Sequence, residues 1–100
     1  MPALTMLQKA KTALRVSVNA FDNEISDLID AACGDLGIVG VTATSTTTDP
    51  LLTRAIITYC RVNFGSPDDY DRLKASYDEQ KAQLITASGY GLAEVSDGQE

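Results

Sequence analysis

Between Asp49 and Gly65 runs a segment that is apolar on nearly every side, and few folds accommodate one. Asp49 supplies an acceptor at the N-cap, and Pro50 takes the first helical position, where a missing N–H costs nothing. Gly65 is the residue type that leaves a helix most easily through a left-handed turn. At about 100° per residue, Leu51, Leu52, Ala55, Ile56, Tyr59 and Cys60, continued by Val62 and Phe64, cover most of the circumference. Ile57 falls on the far side, and Arg54, Thr58 and Arg61 make the one polar strip. A helix of this kind is either a core element or a membrane span. At about fifteen residues, with Arg54 and Arg61 inside it, this one is too short and too charged to span. It is read as the buried centre of a small domain.

Three further helices are expected around it. Residues 2–16 place Ala3, Met6, Leu7, Ala10, Ala13 and Leu14 on one side, and the charge there, Lys9, Lys11 and Arg15, is wholly positive. Residues 20–36, with Asn19 as the cap, repeat Phe21, Ile25, Leu28, Ile29, Ala32 and Leu36 at helical period, and this segment carries acids without a base. Asp27 and Asp30 lie on its wet face, while Asp22 and Glu24 sit in the first turn, where the helix dipole favours negative charge. Gly34, Gly37 and Gly40 are expected to end it near Leu36.

The last helix is expected over 67–88, with Ser66 as cap, Pro67 at the first position and Asp69 completing a capping box. Its apolar stripe, Tyr70, Leu73, Tyr77, Leu84 and Ala87, is narrow, so one edge packs and the rest faces outward. Asp68–Arg72, Asp71–Lys74 and Asp78–Lys81 have the three- and four-residue spacings that support an exposed helix. The central helix is bounded at 50–64.

Between the second and third helices, Ile38, Val39 and Val41 are compatible with a short extended piece. Thr42 to Thr48, threonine-rich and poor in helix formers, reads as a flexible loop. Two readings of it stay open, a solvated linker and an interaction loop at Thr44, Ser45, Thr46 and Thr47 that orders on a partner. Residues 1–90 thus form one helical domain. Residues 91–100 form an acidic tail that is disordered alone but carries, with Tyr90 beside it, Leu92 and Val95 as anchors for a neighbour.

Chemistry finds no footing here. There is no histidine, which removes the commonest general base and metal ligand, so no metal and no cofactor are expected. Cys33 and Cys60 fall on apolar helix faces and read as small core residues of a reducing compartment, with a disulfide or redox pair as the lesser alternative. The glycines after the second helix lack the Lys-Ser or Lys-Thr of a phosphate-cradling loop. Nothing suggests a low-dielectric pocket around Asp27 and Asp30 that would make a catalytic pair of them. An enzyme is not expected. The net charge of −6 argues against a free-standing nucleic-acid binder, yet not against a passage through which DNA slides. Met1-Pro2-Ala3-Leu4 lacks a charged n-region and a long apolar run, so neither signal peptide nor membrane segment is expected. What remains is segregated charge: Lys11 and Arg15 on one helix, Asp27 and Asp30 on the next. These can pair within a subunit or between copies.

Leu14-Arg15-Val16, a polar break, and Asp22 through Ala32 (DNEISDLIDAA) resemble the opening of head–tail connector, or adaptor, proteins of long-tailed bacteriophages. Asp49 to Tyr59 (DPLLTRAIITY), Asn63-Phe64-Gly65, Tyr70-Asp71-Arg72-Leu73 and Ser76 to Lys81 resemble the same family in the same order. The resemblance covers about residues 4–90 and implies an all-α bundle of about four helices that works as a structural virion protein. It implies a ring, commonly of about twelve copies, between the portal protein and a downstream connector or tail-completion protein, with double-stranded DNA passing through. It implies assembly in the bacterial host cytoplasm, a place at the head–tail junction, and no membrane. Loop 38–48 and the tail occupy positions that make partner contacts in the family. A small helical nucleic-acid-binding or DNA-packaging accessory module is the alternative, resting on the basic first helix and on Arg54 and Arg61.

Overall fold

The computed structural model describes residues 5–65 and 67–86. Four helices make it up: α1 Met6–Leu14, α2 Asp22–Ile38, α3 Pro50–Asn63 and α4 Tyr70–Thr86. Among the described residues there is no strand.

α3 packs against each of the other three helices and is the centre of the bundle. The Asp49 carboxylate accepts from the Leu51 and Leu52 N–H groups at 2.9 and 3.2 Å, Pro50 begins the helix, and Gly65 leaves it with φ +69°. Leu52, Ala55, Ile56 and Cys60 are buried against Ile25, Ile29, Ala32 and Leu36 of α2, Met6 and Ala10 of α1, and Tyr77 and Leu84 of α4. Burying a side chain such as Ile25, Leu36 or Ile56 completely contributes about 1.5–3 kcal/mol each. The polar strip is narrower than the sequence predicts. Thr58 is buried, and its hydroxyl donates to the Arg54 carbonyl at 2.9 Å, so it enters the core at no cost in lost hydrogen bonds. Leu51, counted with the apolar face, is half exposed.

The other boundaries move, each for a local reason. α1 starts at Met6 rather than at residue 2, because Thr5 and Gln8 form a reciprocal capping box: Gln8 N–H donates to Thr5 Oγ1 at 3.1 Å and Thr5 N–H to Gln8 Oε1 at 2.9 Å. It stops at Leu14 because Arg15 turns left-handed, φ 61° and ψ 39°. α2 starts at Asp22, with Phe21 and not Asn19 at the cap; the Asn19 side chain instead accepts from the Lys11 ammonium at 2.9 Å.

α2 also continues past Leu36. Its end is a Schellman motif centred on Gly40, φ 88°, with Val41 N–H donating to the Leu36 carbonyl at 2.9 Å and Gly40 N–H to that of Gly37 at 3.0 Å. Val41 and Leu36 are both fully buried, the hydrophobic contact that accompanies such a cap, so residues 38–41 form a cap and not an extended piece. α4 begins at Tyr70 instead of residue 67. Pro67, Asp68 and Asp69 lead into it as a turn, with Leu73 N–H donating to the Asp69 carbonyl at 3.0 Å. Ser66 and the expected last turn at 87–88 lie outside the described residues.

Of the charge pairs read from spacing, none forms as written. Arg72 pairs with Asp69, Lys74 with Asp78 at 3.1 Å, and Lys81 with Asp35 of α2 at 3.1 Å. The last reaches across the bundle because Lys81 also lies over the Tyr77 ring, 5.3 Å from its centroid.

Candidate assembly surfaces

Lys11 pairs within the subunit. Its ammonium lies 2.7 Å from Asp22 Oδ1 and its side chain is only 15% exposed, so it fastens α1 to the start of α2. Arg15 is exposed at the left-handed end of α1. Asp27 and Asp30 are exposed on the outer face of α2, as their spacing predicts, and Ala31, Gly34, Gly37 and Ile38 continue that face. Ile38 is 83% exposed, and a Cβ added at Gly34 or Gly37 meets nothing within 4 Å. Among the described residues this half of α2 is a bare helical surface ending in an uncovered isoleucine.

The threonine loop closes on itself. Thr44 N–H donates to Thr47 Oγ1 at 3.1 Å, Thr47 N–H donates to the Thr44 carbonyl at 3.1 Å, and the Thr44 and Thr46 hydroxyls lie 3.0 Å apart. Ser45 and Thr46 share a shallow hollow with Ser26 and Asp30, so the structure brings the loop and the acidic face of α2 together. Tyr90, Leu92 and Val95 lie outside the described residues.

A larger groove of about 590 Å³ opens between α1, α3 and α4. Among the described residues four cations line it, Lys9, Arg54, Arg61 and Arg72, the last already paired with Asp69, and no acid does. Ile57 and Leu73 supply its apolar lining. The sequence reading found Arg54 and Arg61 by their helical spacing. Lys9 and Arg72 join them only through packing, since no local pattern relates α1, α3 and α4.

Between α2 and α4 lies a polar seam. The Tyr77 hydroxyl donates to Asp35 Oδ2 at 2.6 Å and the Lys81 ammonium donates to the same oxygen at 3.1 Å. Burial would raise the Asp35 carboxyl, but these two hydrogen bonds, with the charges of Lys81 and Lys74, carry it below its ordinary value. Burial, and then the bond to Asp35, raise the Tyr77 phenol. Sequence reading missed Asp35 because nothing local distinguishes it from the solvated acids of α2.

Reactive groups are few. The Cys33 and Cys60 thiols are free; burial, with Cys33 nearby, pushes Cys60 up to about 12, which leaves it neutral and unreactive. Among the described residues no three His, Cys, Asp or Glu side chains are placed to hold a metal ion. Among them, too, no helix is long and apolar enough to cross a membrane.

Residues 6–91 match the family described as phage connector protein. The chain belongs to that family. Neither a curated protein nor a solved structure matches it. The match spans all four helices of this phage connector protein, the threonine loop and the positions of Arg15, Asp27 and Asp30. It ends before Leu92 and Val95. The family is structural rather than enzymatic and belongs to the connector of the phage virion.

Proposed function

We propose that this connector is a head–tail adaptor, a subunit that assembles with copies of itself into a ring between the portal protein and the next connector or tail-completion protein. The family match across the whole helical body carries this reading. The bare outer face of α2 supports it. A neighbour that approaches Gly34 and covers Ile38 gains burial the free subunit lacks, and Asp27 and Asp30 fix its register through charge. Arg15 and the Thr44–Thr47 turn are the further contacts, to a sister copy or to the portal. Double-stranded DNA passes through the ring without being gripped, in keeping with a net charge of −6.

The test is assembly. Concentrated protein, alone and mixed with the portal of its phage, is imaged by electron microscopy and weighed by native mass spectrometry. Rings, or a portal with an added ring, are expected. A chain that stays monomeric beside its portal overturns the reading.

The four cations of the groove favour a second reading, a DNA-binding module. Retardation of duplex DNA at micromolar protein, weakening steeply with salt, is its signature. The adaptor reading expects none.

A further inference from the structure

Two stripes of the subunit share one spacing and differ in character. On α2, Asp27, Ala31, Gly34 and Ile38 are all exposed and follow one another at four, three and four residues. On α3, Pro50, Arg54, Ile57 and Arg61 line the large groove at the same four, three and four. At about 100° per residue, such a series stays within about 40° of its first member and runs about 17 Å along the helix.

Neither stripe is used up inside the subunit. The α2 stripe stands opposite Ile25, Ile29, Ala32 and Leu36, which pack into the core, so it points away from its own α3. Among the described residues no part of α2 lines the groove. Of the groove's cations only Arg72 is paired there; Lys9, Arg54 and Arg61 make no ion pair among the described residues.

We infer that the outer face of α2 of one copy lies antiparallel in the α1/α3/α4 groove of the next. In that register Asp27 comes to Arg61, Ala31 to Ile57, Gly34 to Arg54, and Ile38 to Pro50 beside the half-exposed Leu51. Asp30 places a second carboxylate within a turn of Arg61. Where the two helices pass, Ala31 and Gly34 leave no bulky side chain to hold them apart. The parallel alternative sets Asp27 on Pro50 and Ile38 on Arg61, which desolvates a charge against an aliphatic side chain.

Other anions match less of this surface. A phosphate backbone brings charge to the arginines but no aliphatic group to Ile57 and Pro50, and a net charge of −6 repels a duplex from the rest of the subunit. The pairing rests on the adaptor reading for one thing, that copies meet; the stripes choose the faces. Each copy gives one surface and receives at the other, the heterologous contact that closes rings.

The test uses the full chain in three forms: D27K/D30K, R54E/R61E, and the two combined. All four residues are exposed, so circular dichroism melts should match the wild type. Association is read by sedimentation at rising concentration and, with the portal of its phage, as copies bound per portal. Each reversal alone should weaken association about tenfold or more, and the combined form, with both signs exchanged, should regain it. Register is read by oxidative cross-linking in the same two settings. Ile38→Cys with Pro50→Cys should join copies and Ile38→Cys with Arg61→Cys should not, with Ile38→Cys alone as the control for Cys33.

Wild-type association by R54E/R61E, a combined form that regains nothing, or no cross-link through Pro50→Cys in either setting overturns the pairing. So does duplex DNA that binds wild type but not R54E/R61E while D27K/D30K still associates normally, a result that gives the groove to phosphate. Association lost on deleting residues 87–100, with both reversals silent, gives the contact to the tail instead. Rings on the portal from R54E/R61E sink the pairing and leave the adaptor reading standing. Cross-links between Ile38→Cys and Pro50→Cys in a chain that ignores its portal do the reverse.

Discussion

The Tyr77 hydroxyl and the Asp35 carboxylate meet at 2.6 Å across 42 positions of sequence, tying α4 to α2 beside the buried centre of the bundle. Asp35 is held below its ordinary carboxyl value in the fold, so it stabilises the native state above its unfolded value of about 4. That contribution is lost as pH falls through the lower, folded value. Asp35→Asn should therefore cost about 1 kcal/mol at neutral pH, a modest figure because the carboxylate is partly exposed. Urea melts from pH 7 down to pH 2.5 should show the gap between wild type and variant closing at the acid end. A gap independent of pH would mean that the charge of Asp35 contributes nothing.

The left-handed ends of α1 and α2 give opposite expectations. Arg15 sits at φ 61° with a side chain, and Gly40 at φ 88° without one. A Cβ in that region costs about 1–2 kcal/mol. Arg15→Gly should raise stability by about 1 kcal/mol and Gly40→Ala should lower it by a similar amount, both read from thermal melts of the monomer.

Ile56 and Asp30 mark the two extremes of burial. Ile56 is fully buried at the centre of α3, while Asp30 is exposed on α2. Ile56→Asp should cost about 4 kcal/mol or more and abolish the cooperative melt, because no partner is near to compensate a charge there. Asp30→Asn should leave the monomer within about 0.5 kcal/mol of wild type.

Legibility follows from how local the deciding interaction is. α3 could be read because Asp49, Pro50 and Gly65 act on their immediate neighbours and its apolar period is its own. The end of α2 was misplaced because three glycines compete within one short stretch, and the choice of Gly40 depends on Val41 finding the core. The start of α4 was misplaced for a related reason: Pro67 suits a first helical position, but the turn through Asp69 delays the helix to Tyr70. At the surfaces, Asp27 and Asp30 were legible as a wet helix face. The groove was not, since Lys9 and Arg72 reach Arg54 and Arg61 only once three helices have packed.

The two thiols should separate in an alkylation experiment. Cys60 is buried with its thiol near 12, and Cys33 is half-buried and raised less. In native protein at pH 8, maleimide should label Cys33 first and Cys60 only at the rate of unfolding, followed by peptide mass mapping. Equal labelling would require α3 to open far more readily than its packing allows.

Gly34 and Ile38 separate the stability of the subunit from its assembly. Nothing lies within 4 Å of a Cβ at Gly34, so Gly34→Ala removes backbone freedom from an exposed helix at no steric cost and should stabilise the monomer by about 0.5–1 kcal/mol. Gly34→Leu should also leave the monomer folded, yet its side chain stands where a neighbouring subunit would come close. Ile38→Glu, at a site 83% exposed, should leave the melting temperature unchanged, and the charge should keep a neighbour from covering it. The adaptor reading expects both to reduce ring formation on the portal, scored by electron microscopy. Normal rings from Gly34→Leu and Ile38→Glu together would remove the outer face of α2 from the interface and leave Arg15 and the threonine turn to make it.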